Sequence, residues 1–151
     1  MSVELKGIKL VNANPDVINR YMQDLLDLDK NVASVSWSED NFLQELPEKW
    51  DLSYLIISMD SVIAFLIASK KQKSYHIHRL GVDPSFQGKG IGSMLLNTIN
   101  IQALNKSIQS ISLKVAKEND KAIKFYKLNG FKIIDFSEGN FIMTKEVVSY
   151  V

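Results

Sequence analysis

The sequence predicts an α/β fold in which one mixed sheet carries helices on both faces. Strand-like apolar runs and helix-period runs follow one another along the whole chain. A glycine-rich turn, Val82-Asp83-Pro84-Ser85-Phe86-Gln87-Gly88-Lys89-Gly90-Ile91-Gly92, passes directly from a strand pattern into the helical pattern of Met94, Leu95 and Leu96. No composition break, repeat or linker interrupts the series, so residues 1–151 read as a single domain.

The elements follow in order. Val3–Leu10 alternates loosely, as a first strand does. Asn14-Pro15-Asp16 opens a helix in which Ile18, Tyr21, Met22, Leu25 and Leu26 recur at helical spacing to about Asp29. Ser36 or Ser38 caps a short second helix containing Phe42 and Leu46, which Pro47 stops. Leu52–Ser58 and Val62–Ser69 form a hairpin around Met59-Asp60-Ser61, and Tyr75–Val82 is the next strand. A helix from about Gly90 to Asn105 follows the glycine turn, then a strand, Ile108–Val115, and a helix, Asn119–Asn129. Gly130 supplies a left-handed cap. Phe131–Phe136 and Phe141–Lys145 close the chain around Glu138-Gly139-Asn140.

The 151 residues are 46% hydrophobic and 23% charged, ordinary for a soluble protein and enough for a real core. A formal charge of +1 provides no global field for nucleic acid or an acidic membrane. Lys70-Lys71-Gln72-Lys73 reads as a solvated hairpin tip. The chain has no cysteine, which excludes disulfides, thiolate catalysis and cysteine-ligated metal. Its first residues, Met1-Ser2-Val3-Glu4-Leu5-Lys6, do not resemble an export signal, and no apolar run is long enough to span a bilayer. The expectation is a cytoplasmic protein without a nucleic-acid or membrane partner; a homodimer stays open.

A turn such as 82–92 can aim several backbone N–H groups at one point, backed by the positive end of a helix. That suits a phosphate or pyrophosphate, and Lys89 adds a mobile charge. The bland alternative is a tight turn that lets a helix pack closely. The spacing fits neither a Walker loop nor a dinucleotide fingerprint.

Gln87-Gly88-Lys89-Gly90-Ile91-Gly92 resembles the acetyl-CoA pyrophosphate loop of the GCN5-related N-acetyltransferase (GNAT) superfamily, with its Gln/Arg-x-x-Gly-x-Gly/Ala pattern. Leu80-Gly81-Val82-Asp83-Pro84 is similar to the end of the strand before that loop. Asn119 to Phe131 resembles the family's Asn-x-x-Ala-x-x-x-Tyr-x-x-x-Gly-Phe segment. The resemblance implies a GNAT-like sheet splayed near its centre, with acetyl-CoA as cosubstrate in the opening. Backbone groups of Leu80, Gly81 and Val82 would pair with the pantetheine arm. Amides of Gln87, Gly88, Lys89, Gly90, Ile91, Gly92 and Ser93 would hold the pyrophosphate. Lys89 is as well explained by solvation as by the adenosine phosphates, and Gln87 suits positioning better than chemistry.

Asn119 and Tyr126 lie about two helical turns apart, so both can face one cleft. Taken alone, they cap a helix and fill its inner face. In the family, the residue matching Asn119 often bonds the cofactor arm, and the tyrosine matching Tyr126 commonly protonates the departing thiolate. Tyr126 is therefore the leading catalytic candidate, although its phenol could serve only to orient the thioester.

His76 and His78, the only histidines, share a face of a regular strand. A metal pair lacks evident companions. A structural pair and a proton-handling pair both remain open. An ammonium must lose a proton before it attacks a thioester, and a neutral imidazole can take it. Many family members carry glutamate at the position matching His76. The two-histidine arrangement resembles that of arylalkylamine N-acetyltransferases, with His76 as the principal base. Ser112 or Glu118 could hold a water nearby.

The acceptor region of the family matches Tyr21, Val35, Ser36, Trp37, Ser38 and Phe42, with Trp50 nearby. Asp29, Glu39, Asp40 and Glu45 could recognise a cationic acceptor or simply face solvent. Trp37-Ser38-Glu39-Asp40-Asn41-Phe42 faintly resembles a segment of ribosomal-protein alanine N-acetyltransferases. Without the glutamate at 76, a small-molecule primary amine is favoured over a peptide N-terminus; a non-catalytic CoA-binding sensor is the alternative outside the enzymes. A chain without cysteine points to direct acetyl transfer in a ternary complex.

Overall fold

The computed structural model describes residues 7–147. In chain order these form β1 (Ile8–Asn12), α1 (Pro15–Arg20), α2 (Met22–Val32), α3 (Glu39–Leu43), α4 (Lys49–Leu52), β2 (Tyr54–Ser58), β3 (Ser61–Lys71) and β4 (Ser74–Val82). A 3₁₀ turn, Pro84–Phe86, precedes α5 (Ile91–Asn105), β5 (Ser110–Ala116), α6 (Asp120–Leu128), β6 (Lys132–Ser137) and β7 (Asn140–Glu146). The seven strands form one sheet in the order β1-β2-β3-β4-β5-β7-β6. Among the described residues only β4 and β5 run parallel. The mixed sheet matches the fold class expected.

Each face of the sheet buries its own apolar cluster. On one, Ile18 of α1, Met22, Leu25 and Leu28 of α2, and Phe42 of α3 pack on Leu55, Ile57, Phe65 and Ile67. On the other, Leu95, Leu96 and Ile99 of α5 and Ile123 of α6 pack on Ile56, Leu66, Tyr75, Ile77, Leu113 and Met143. Strand alternation accounts for the division: Phe65 and Ile67 face α2, while Leu66 and Ala68 face α5.

Several boundaries differ from expectation. The strand anticipated at Val3–Leu10 begins outside the described residues; β1 continues to Asn12, whose partner is Tyr54. The first helix is divided at Tyr21, which adopts φ −107°, ψ 17° between α1 and α2. Ser38, not Ser36, caps α3, with a reciprocal bond from its own amide to Asn41. That helix ends at Leu43, before Pro47. The sequence reading missed α4 entirely. Its Lys49 is 1% exposed, and Nζ donates to the carbonyls of Asn41 (3.3 Å), Phe42 (2.8 Å) and Gln44 (2.7 Å). The ammonium thus satisfies the open C-terminal end of α3. Burial pushes its pKa down to about 8.

The feature that positions the site is an opening in the sheet. β4 pairs with β5 only from Ser74–Ser110 to Ile77–Leu113. Beyond that, β5 continues to Ala116 against β7, and β4 continues to Val82 against β3. The strands part at His78. There β4 also carries an extra residue: Ala68 opposes Ile77 and Ile67 opposes Arg79, leaving His78 between them.

Candidate active site

The loop at the head of the opening is held by its own side chains. Asp83 accepts from Ser85 N (2.9 Å) and Ser85 Oγ (2.7 Å), setting the turn after β4. Gln87 Nε2 donates to Val82 O (3.1 Å), and Lys121 of α6 donates to Gln87 Oε1 (2.7 Å). Gln87 therefore ties strand, loop and helix together. Gly88 and Gly90 have φ +79° and +83°, and a Cβ on either would meet nothing within 4 Å. They are glycines for backbone conformation beside open space. Gly92 differs, because its Cβ would lie 2.8 Å from Phe125 Cζ. It is glycine so that α5 can pack against α6.

Helix α5 has 15 residues, no side-chain cap at Gly90 and no acidic residue in its first turn. Its opening amides, including Ile91, Gly92 and Ser93, lack the carboxylate or hydroxyl that usually satisfies such groups. The free edge of β4 from Leu80 to Val82 runs into this loop. Uncapped amides, open space at two glycines and an unpaired strand edge fit the pyrophosphate and amide-bearing arm of a coenzyme A thioester.

Asn119 caps α6, with Oδ1 accepting from Ala122 N (3.2 Å). Tyr126 packs on the α5-side core, its ring edge-on to Phe125 (5.3 Å) and Phe131 (5.7 Å). Among the described residues its hydroxyl has no hydrogen-bond partner. Burial pushes the phenol's pKa up to about 12, so it stays protonated near neutrality and has a proton to give.

The histidines meet where the strands part, with ring centroids 4.8 Å apart. His76 Nδ1 lies 3.0 Å from Ser112 Oγ on β5, and His78 Nε2 lies 2.7 Å from Ser69 Oγ on β3. The row Ser112–His76–His78–Ser69 spans three strands. Burial pushes both pKa values down to about 4; beyond burial, each ring is disfavoured as a cation by Lys71, and His76 also by His78 and Lys114. Both imidazoles are neutral at pH 7. Ser112, anticipated as a water holder, bonds the ring itself, while Glu118 is exposed and has no bond to either histidine. Ser69 was missed. Counting back from the hairpin tip places it opposite His76, as the register shows, and its hydroxyl reaches diagonally to His78, two residues further along the same face of β4.

On the acceptor side the expected carboxylates are largely committed. Asp29 is 0% exposed and bonded to Arg79, a pairing the sequence reading did not anticipate. Glu45 accepts from Trp50 Nε1 (3.0 Å). Glu39 and Asp40 occupy the first turn of α3, where negative charge favours the helix. Phe42 is wholly buried in the core, edge-on to Phe65, and cannot touch an acceptor. Tyr21 Oη donates to Asp60 (3.1 Å), closing α1–α2 onto the β2–β3 turn.

Residues 20–131 match the Acetyltransferase (GNAT) family, and the chain belongs to it. It is an acetyl-CoA-dependent N-acetyltransferase. The chain is 30% identical over 125 residues to N-alpha-acetyltransferase 50 of Danio rerio, covering 80% of this chain and 74% of that protein. It is 27% identical over 104 residues to the [ribosomal protein bS18]-alanine N-acetyltransferase of Salmonella typhimurium, covering 69% and 70%. An uncharacterized N-acetyltransferase of Methanocaldococcus jannaschii is 36% identical over 78 residues, which is 52% of this chain but only 34% of that protein. The PaiA N-acetyltransferase of Thermoplasma acidophilum, solved with coenzyme A, shares the fold at a TM-score of 0.73 and 21% identity, over 92% of this chain and 98% of that one. Among the described residues no helix is long and apolar enough to cross a membrane, and no metal-ligand cluster occurs.

Proposed function

We propose that this protein, acting in the cytoplasm, moves the acetyl group of acetyl-CoA directly onto a primary amine of a small molecule. The supporting observation is the pair of neutral imidazoles at the point where β4 and β5 part. The amides from Gly88 to Ser93 and the edge of β4 from Leu80 to Val82 hold the donor. His76 takes a proton from the amine nitrogen, directly or through water, with His78 beside it. The freed amine nitrogen bonds to the acetyl carbon and loses its surplus proton to solvent, the C–S bond breaks, and Tyr126 gives its proton to the departing thiolate. Solvent then returns a proton to Tyr126 and removes one from His76. Burial leaves the His76 imidazole neutral and open to a proton at neutral pH, and the same burial lowers its basicity below the best value for a general base.

A small amine is supported by His76 standing where the family resemblance leads one to expect a glutamate. The commitment of Asp29 and Glu45 to Arg79 and Trp50 argues against a polycationic acceptor. A specific observation favours a second reading, a peptide N-terminus: two relatives aligned over 80% and 69% of this chain are named for protein N-terminal acetylation. The deciding experiment is an acetyl-CoA-dependent screen of 2-phenylethylamine, glucosamine, lysine, spermidine and short peptides starting with Met or Ala. Thiol release is the readout, with products confirmed by mass spectrometry. Turnover on an amine outside the peptide set carries the first reading. Turnover on peptides alone carries the second, and cofactor binding without turnover removes both.

A further inference from the structure

We propose that Asp29 and Arg79 are a positioning pair that fashions the segment between α2 and α3 into the acceptor-side wall of the active site. Acceptor recognition, and not acetyl-CoA binding, then depends on them. This rests on the reading that the amine meets the thioester beside His76 and His78.

Arg79 directly follows His78 and lies at the irregularity in β4. Its Nε donates to Asp29 Oδ1 (2.8 Å) and its Nη2 to Asp29 Oδ2 (3.0 Å), a two-pronged pairing with a fully buried carboxylate. Both partners also hold the segment that follows α2. Asp29 Oδ2 accepts the amide of Trp37 (2.6 Å). Arg79 Nη2 donates to the carbonyl of Val35, and its guanidinium lies 5.2 Å from the centre of the Trp37 ring. Trp37 in turn meets Phe42 edge-on at 5.0 Å. One ion pair therefore grips a carbonyl, an amide and an indole within three residues. The segment's remaining bonds lie at its ends, from Ala33 N to Asp29 O and in the cap at Ser38.

The setting favours positioning over simple stabilisation. A buried ion pair is a poor source of net stability compared with apolar packing, yet it imposes strict geometry on whatever it bonds. Here α2 is already pressed against β4, since a Cβ on Gly81 would lie 2.9 Å from Val32 Cγ2. Val35 is 74% exposed although its carbonyl is held. The pair thus fixes an exposed aliphatic residue and a half-buried indole next to the strand that carries the histidines. Such a wall suits the apolar body of an amine.

The test is steady-state kinetics of Arg79→Met and Arg79→Lys on every panel amine or peptide that the parent protein acetylates. Arg79→Met should raise the acceptor KM about tenfold or more while kcat and the acetyl-CoA KM stay within about threefold. Lysine should restore little, because a single ammonium cannot bridge both carboxylate oxygens and the Val35 carbonyl. Should Arg79→Met fail to fold, Asp29→Asn, which keeps the shape, carries the same expectation. An unchanged acceptor KM, or an acetyl-CoA KM that rises as much, overturns the proposal. A second readout is independent of turnover: in a Trp50→Phe background, acrylamide quenching of Trp37 should increase on Arg79→Met. Unchanged quenching overturns the proposal even if the parent acetylates nothing, whereas loss of turnover on the whole panel counts only against the assigned function.

Discussion

On the α5 side of the sheet opening, the groups available to a ligand are backbone amides from Gly88 to Ser93 and the free edge of β4. They come from one continuous stretch of chain. On the α2 side they are side chains from separate places, Trp37, Ser69, His76, His78 and Ser112, backed by the buried Asp29–Arg79 pair. A thioester donor common to a whole family can be held by main-chain geometry that tolerates substitution around it. An acceptor that differs among members needs side chains, and side chains assembled across four or five elements can be exchanged singly. The difference also appears in the electrostatics. The proposed donor side is a helix end without a carboxylate, whereas the proposed acceptor side carries two imidazoles held neutral and a carboxylate paired with arginine.

Substitutions on either side should separate the two. The largest effect is expected from Asp29→Ala, which leaves the Arg79 guanidinium without its buried partner and should cost about 3–5 kcal/mol in urea unfolding. A loss below about 1 kcal/mol would mean that water readily replaces the carboxylate and that the acceptor side is not rigid. Tyr126→Phe should lower kcat about a hundredfold with little change in coenzyme A affinity, if the phenol supplies the proton. A parental kcat, with chemistry shown to be rate-limiting, would return Tyr126 to a packing role beside Phe131. Gly90→Val forces a β-branched residue to φ +83° and should weaken coenzyme A binding by about 1–3 kcal/mol in calorimetry, without altering the His76–His78 geometry. Undiminished affinity would remove the loop from the donor site.

The smallest effect concerns pH. Both histidines have pKa values lowered from 6.5 to about 4 in the folded protein. The unfolded chain therefore binds more protons between those values. The stability that the neutral rings contribute is complete above pH 6.5 and is lost as pH falls toward 4. Unfolding free energy should drop by about 1–2 kcal/mol per histidine between pH 7 and pH 5, and the drop should shrink in His76→Gln. The same variant should lower kcat, while any activity limb near pH 6.5 to 8 should persist, since it would belong to the amine and not to His76. If that limb disappears with His76, the ring titrates near its ordinary value and the acceptor side is wetter than its packing implies.

How legible each part was follows from the range of the interactions that build it. The glycine loop, the cap at Asn119, the stop at Gly130 and the hairpin at Met59-Asp60 are local devices, and residue type at fixed spacing is enough to announce them. Even the sheet opening was implied, through the resemblance of three short segments to a family with that fold. The short helix α4 was not, because Lys49 holds it against α3 through bonds to Asn41, Phe42 and Gln44 that no periodic pattern records.

The amino-acid sequence by itself determined the strand order along the chain, the helices apart from α4 and the division at Tyr21, the anion-ready start of α5 and the presence of two histidines in the strand before it, since these depend on neighbours a few residues away. Only the tertiary structure decided what those histidines face and which carboxylate is spent. Ser69 reaches diagonally across the β3–β4 pair to His78 while its register partner is His76, and Asp29 reaches Arg79 across 50 positions of chain. A side chain's charge state and reach depend on what folding packs around it. For the acceptor side, that environment is contributed almost wholly by residues distant in sequence.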